Sequence, residues 1–132
     1  LKPYILAKAP YRTDLEREYS NAIAEAVSNG WLRWQQGLSG VLNYPAPGAA
    51  PTPNAPASLV TFGSSGEGDL TPTPLKNAMT AAMQKDGQHA GALFEAVAQS
   101  FYSHFQTFKT STVVSNVMAT GVTVIPTPGN FV

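Results

Sequence analysis

Few side chains in this sequence are equipped for chemistry. His89 and His104 are the only imidazoles among 132 residues, and there is no cysteine. An imidazole that acts as a base or a metal ligand needs a second group at fixed spacing. Neither histidine has a glutamate or another histidine three or four residues further on. His104 falls on an apolar helical stripe and reads as a satisfied core or edge residue, while His89 stands at a helix start and reads as solvated. Without thiols there is no disulfide framework, no cysteine nucleophile and no sulfur-rich zinc site.

The stretch Phe62-Gly63-Ser64-Ser65-Gly66-Glu67-Gly68-Asp69 has the outline of a phosphate cradle, a glycine-rich turn between a strand candidate and a helix. It lacks a lysine, and its two carboxylates would repel phosphate, so a glycine-rich surface turn is the better reading. Glu67 and Asp69 alone supply too few oxygens for calcium. Ser64 or Ser65 with a histidine would make a minimal hydrolase, but no base with its orienting group accompanies them. Glu25 and Glu95 read as partners of a nearby lysine or arginine, or as solvent-facing. Trp31 and Trp34 offer rings for stacking on a sugar or base, yet both lie on a helical stripe, which favours core or subunit-interface packing. The expectation is no catalytic residue, no metal ligand and no cofactor.

Charge is distributed unevenly. Eight basic and eight acidic residues cancel, so no field exists for gripping nucleic acid or an anionic membrane. Nine charges lie between Lys2 and Arg33 and seven between Glu67 and Lys109, leaving 34–66 and 110–132 without any. Neither silent stretch reads as a membrane span, because Pro45, Pro47, Pro51, Pro53, Pro56, Pro126 and Pro128 interrupt them. Residues 1–10 lack the long apolar centre and small-residue cleavage site of a signal peptide. Uncharged, proline-rich segments are either solvated linkers or arms that lie along a neighbouring subunit, where burying charge would be costly. Val41, Leu42, Tyr44, Leu59, Val60, Phe62, Val113, Val114, Val122, Val124, Ile125 and Phe131 give them more apolar bulk than linkers carry, and are the candidate subunit contacts.

Three helices must carry these arms. Thr13-Asp14-Leu15-Glu16 has capping-box form, and Leu15, Tyr19, Ala22, Ile23, Ala26, Val27, Trp31, Trp34 and Leu38 recur at helical spacing behind it. That helix is expected from about Asp14 to Leu38, with Gly37 and Gly40 as stops. Thr73 before Pro74 announces a short second helix with the stripe Leu75, Ala78, Met79, Ala82 and Met83, ended by Asp86-Gly87. A third is expected from Gln88 to Phe108, with Leu93, Ala96, Val97, Phe101, His104, Phe105 and Phe108 on one side. Trp31, Trp34, Phe101, Phe105 and Phe108 are the core or interface aromatics. Ser58–Phe62, Ser111–Val114 and Gly121–Ile125 read as short strands. The fold class is mainly α: two long amphipathic helices and one short, with extended proline-rich arms and a few short strands. A single domain is expected over 1–132, made of an N-terminal arm (1–12), a helix (13–39), an uncharged arm (40–72), a helical pair (73–109) and a C-terminal arm (110–132).

The two long helices align without a gap at an offset of 70, Ala22-Ile23-Ala24-Glu25-Ala26-Val27 against Ala92-Leu93-Phe94-Glu95-Ala96-Val97. Each is followed by the same spaced string: Gly40-Val41, Pro45, Pro47 and Gly48 in one copy, and Gly121-Val122, Pro126, Pro128 and Gly129 in the other. Any two alanine-rich amphipathic helices look alike, but the shared string after both points to a duplicated helix-plus-arm unit. Such a unit predicts pseudo-twofold packing of the long helices, each emitting an uncharged arm.

Leu42-Asn43-Tyr44-Pro45, Pro51-Thr52-Pro53-Asn54-Ala55-Pro56 and Phe105-Gln106-Thr107-Phe108-Lys109 carry a resemblance. With the Trp31-x-x-Trp34 step on an alanine-rich helix, the chain from about Lys8 to Phe131 resembles small proteins encoded among the virion genes of tailed bacteriophages, related prophages and contractile-particle clusters. The resemblance implies a non-enzymatic structural subunit of a capsid, neck, tail or baseplate, located in the virion and assembled in the host cytoplasm. Its implied partners are further copies of itself and other virion proteins, with no direct nucleic-acid binding and no membrane span. The alternative is a peptide- or glycan-binding adaptor that uses Trp31 and Trp34 or the Phe62–Asp69 loop as its face.

Overall fold

Thr13 opens the longest helix as its capping box requires. The computed structural model describes residues 1–8, 12–44, 48–84, 87, 89–121 and 127–130, of which 48–50, 120, 121 and 127–130 by backbone alone. In it the Glu16 amide donates to Thr13 Oγ1 at 3.2 Å and the Thr13 amide donates to Glu16 Oε2 at 3.2 Å. Four helices follow one another: α1 (Lys2–Lys8), α2 (Asp14–Gly37), α3 (Pro72–Ala82) and α4 (Ala90–Ser111). The strands are β1 (Leu38–Leu42), β2 (Gly48–Pro53), β3 (Ala57–Ser58), β4 (Gly63–Ser64), β5 (Val113–Val114), β6 (Met118–Gly121) and β7 (Thr127–Asn130). The architecture is mainly α, with two long helices and short strands.

Helices α2 and α4 point the same way. Tyr19 meets Phe94 edge-on at 5.7 Å near their N-terminal ends, and Trp34 meets Phe105 at 5.2 Å near their C-terminal ends. Helix α3 returns between them. Leu75 and Met79 are fully buried against Ala22, Ala26 and Val27 of α2 and Phe94 and Ala98 of α4. Alanine on the facing surfaces lets α3 approach closely, so its longer side chains reach into the seam. A second cluster closes the C-terminal end of the helices, made of Trp34, Leu38, Leu42, Leu59, Phe62, Leu70 and Phe105.

Several sequence expectations shift. The stretch read as an N-terminal arm contains α1, which lies along α2 with Ile5 against the first cluster and Lys2 Nζ 3.1 Å from Glu25. Thr71, not Thr73, precedes α3, because Pro72 and Pro74 both fit a first turn whose amides need no helical partner. Helix α4 starts at Ala90 and runs to Ser111, while Asp86 and Gln88 lie outside the described residues. Its buried stripe is Phe94, Ala98, Phe105 and Lys109. Phe105 is buried as expected and Val97 and Phe101 pack partly, but at the other positions burial moves one residue on, so Leu93 and Phe108 are exposed. Two apolar residues stand side by side at 93 and 94, and periodicity alone cannot choose between them. Leu15, expected on the stripe of α2, is likewise exposed, since nothing reaches the first turn of that helix to cover it. Ser58–Phe62 divides into β3 and a 3-10 turn at Leu59–Thr61, turned by the Ser58 side chain accepting from the Val60 amide. Of Gly121–Ile125 only Gly121 lies within the described residues, at the end of β6.

A pseudo-twofold is expected in the packing of the two long helices, but α3 lies between them, and it is the two arms that pair with each other. Strands β1, β2 and β3 of the first arm pair antiparallel with β7, β6 and β5 of the second, in reverse order. Gly40 lies opposite Gly129, and Gly48 lies opposite Gly121. The first glycine of each copy of the repeated string thus faces the last glycine of the other copy. Strand β4 completes a three-stranded sheet on the other side of β1. A Cβ at Gly40 would collide with the Phe62 ring, so this glycine lets the first arm lie down on the core.

Phe94 is the largest fully buried side chain and touches both flanking helices. Phe94→Ala is expected to lower stability by about 3–5 kcal/mol, read as a shift of the urea midpoint with an unchanged slope.

Candidate functional site

The ribbon meets the helices at a clasp built from one side chain. Asn54 is buried between the arms, at 5 % exposure. Its Nδ2 donates to the Val114 carbonyl at 3.0 Å and to the Ala55 carbonyl at 2.8 Å, while Oδ1 accepts from the Val117 amide at 2.9 Å. Its own amide donates to the Val117 carbonyl at 3.1 Å. The Asn54 amide group therefore stands in for the backbone partner that the ladder loses between β3–β5 and β2–β6. Opposite it the second arm bends at Asn116, whose φ of 62° is the one positive value outside glycine among the described residues. Asparagine tolerates that left-handed conformation better than most side chains. On the first arm, the Ala55 amide turns instead to the Asn43 carbonyl at 2.7 Å.

Two ion pairs fix the root of the arms. Lys109 Nζ sits 2.7 and 2.8 Å from the two oxygens of Glu67 and lies over the Phe105 ring. Lys109 is 7 % exposed, so Glu67 is its main source of charge compensation. Arg33 Nε contacts Asp69 at 3.1 Å on the same 3-10 turn, Glu67–Leu70. The carboxylates that looked like candidate ligands are thus spent holding this turn against the ends of α2 and α4. Gly66 makes the approach possible, since a Cβ there would lie 2.5 Å from the Arg33 carbonyl. Ser64 is a pin of the same kind: its hydroxyl donates to the Trp34 carbonyl at 2.7 Å and accepts from the Gly66 amide at 3.1 Å.

The other sequence candidates fall into place around this framework. His104 is exposed, with Nδ1 2.8 Å from the Ser100 carbonyl one turn back, and His89 is exposed ahead of α4. Among the described residues no group of three acidic or imidazole side chains is placed to hold a metal ion, and no helix is long and apolar enough to cross a membrane. Glu25 and Glu95, equivalent in the repeat, each pair with a lysine from the preceding helix, Lys2 at 3.1 Å and Lys76 at 2.8 Å. The Lys76 hydrogen bond, helped by its charge, holds the Glu95 carboxyl below the usual carboxylate range.

The aromatic and arm residues separate into two sets. Trp34 and Phe105 are core, Trp31 and Phe101 are half-buried, and Phe108 is exposed at the edge of the same stack. Trp34 is only 2 % exposed, which removes it from any two-tryptophan binding face. Of the candidate subunit contacts, Leu42, Leu59 and Phe62 are instead buried in the chain's own second cluster, with Tyr44 and Val114 packed against it. The arms fold back over the helix ends, and those side chains cap the aromatic stack. Val41, Val60 and Val113 remain at the surface, each more than half exposed, and Val117 and Met118 join them. Val122, Val124, Ile125 and Phe131 lie outside the described residues. Sequence reasoning passed over Asn54 and Asn116. The available signal was an asparagine in a segment where proline, alanine and glycine offer no side-chain hydrogen bonds.

No family model matches this chain, and no curated protein or solved structure does so either.

Two outcomes test the electrostatic part of the site. Lys109→Met keeps the buried stem and removes the charge; since Glu67 is partly exposed, the expected loss is about 1–3 kcal/mol in urea denaturation, below the full range for a buried pair. For Glu95, the folded-state pKa is depressed, so its contribution is present above the unfolded value and vanishes as pH falls through the folded one. Glu95→Gln is therefore expected to lower Tm slightly at neutral pH, with the gap to the unsubstituted protein closing in acid.

Proposed function

We propose that this protein is a non-enzymatic structural subunit of a bacteriophage or phage-like particle, built into its capsid, neck, tail or baseplate. It joins other copies and other virion proteins through the uncharged arms, and is incorporated into the virion in the host cytoplasm. The observation that carries this reading is the ribbon itself. Two segments without a single formal charge pair with each other and present Val41, Val113, Val117 and Met118 to solvent. Apolar surface on a regular two-stranded scaffold suits contact with another protein, where charge would have to be desolvated.

Burying a few hundred Å² of apolar arm per contact at about 25 cal/mol per Å² contributes several kcal/mol before ordering costs. Repetition around a ring or lattice makes such contacts cumulative.

Light scattering across a concentration series, followed by electron microscopy of the same sample, tests the reading. A closed ring, tube or lattice is expected. Val113→Asp with Met118→Asp places two charges on exposed arm positions and is expected to shift assembly to higher concentration while leaving the helical circular dichroism unchanged. Assembly that proceeds as before in this variant would exclude the arms as the joint.

A further inference from the structure

The second arm is attached to its own molecule by a ladder that a neighbour could supply equally well. Beyond Val117, strands β6 and β7 pair with β2 and β1 of the first arm, and their main packing is with those two strands. We propose that β6 and β7 of one copy pair with β2 and β1 of a second copy, with Ser115–Val117 as the hinge, so that copies are joined by exchanged arms. The inference deepens the assembly reading and rests on it, because it names the partner as a second copy of this chain and the joint as the ribbon.

Three observations support the exchange. First, the pairing is self-complementary at its glycines: Gly40 faces Gly129 and Gly48 faces Gly121, so a ribbon made between two chains keeps the same register. Exchange between two copies then closes as a symmetric dimer, while exchange passed from chain to chain gives a ring or a filament. Second, neither strand set brings charge, so two copies meet no repulsion along the ladder. Third, the hinge holds Asn116 at a φ of 62°, a conformation that an extended, exchanged arm has no need to adopt. Closed and exchanged forms make the same ladder, and the balance between them falls to the hinge and to protein concentration.

The absence of cysteine makes a direct test clean. Thr52 lies opposite Ala119, beyond the hinge, and Ser58 lies opposite Val113, before it. Thr52→Cys and Ala119→Cys are made as separate proteins, unfolded together in urea, refolded as a mixture and oxidised. Exchange predicts a mixed disulfide at twice the chain mass, formed ahead of either homodimer. The pair Ser58→Cys and Val113→Cys, treated identically, is expected to give no mixed band above its homodimers. Ser39→Cys with Asn130→Cys provides a second pair beyond the hinge, for use if the first does not refold. A mixture that yields no more mixed disulfide than homodimer, while the double variant Thr52→Cys/Ala119→Cys closes within single chains, overturns the exchange. Particles seen by light scattering alongside that result would leave the assembly reading standing on other arm surfaces. Monomers throughout, with only internal disulfides, would remove both.

Discussion

Two parallel helices that are consecutive long elements cannot be joined by a tight turn. The chain has to travel back along their whole length before the second can begin. Here the aromatic pairs Tyr19–Phe94 and Trp34–Phe105 hold α2 and α4 parallel, and α3 is the return journey. The consequence is that both long helices end at the same place. Both arms therefore leave from one end of the helical body, side by side, and can pair antiparallel. Had the helices been antiparallel, the two arms would have left from opposite ends and the ribbon could not form.

The body and the ribbon rely on different forces. Leu75, Met79 and Phe94 are held by area removed from water, with small alanines admitting α3 to the seam. The ribbon has little apolar depth and relies on backbone pairing, with Asn54 repairing the ladder where Asn116 bends it. Charges are confined to the body and its junction with the arms. Lys2–Glu25 and Lys76–Glu95 repeat the same device on two successive helix pairs.

The helices were legible because their signals are local: the capping box at Thr13, prolines in a first turn, stripes at helical spacing. The repeated string was legible too, but the pairing of the two arms with each other was not. What could not be read were properties set by contacts distant in the chain. The face of α4 turns on whether Leu93 or Phe94 meets α3, and both are apolar. Glu67 and Asp69 are too few to hold calcium, and what they do instead shows only where Lys109 and Arg33 are found beside them, 42 and 36 residues away in sequence. Leu42, Leu59 and Phe62 have the composition of interface residues and the burial of core residues. Composition does not reveal that the arms double back over the helix ends.

Proline in the ribbon has a consequence for how large a sheet it can seed. Pro51 and Pro53 lie in β2 and Pro128 in β7, and none of them has an amide hydrogen to offer. A sheet grows sideways only where an edge presents an unbroken row of donors and acceptors. Interrupted edges limit the ribbon's growth: β4 adds to β1 over only two residues, and further strands find gaps where donors should be. Long uncharged segments that pair as strands would otherwise be a template for fibrils. The same residues that keep the arms extended also keep them from stacking without end.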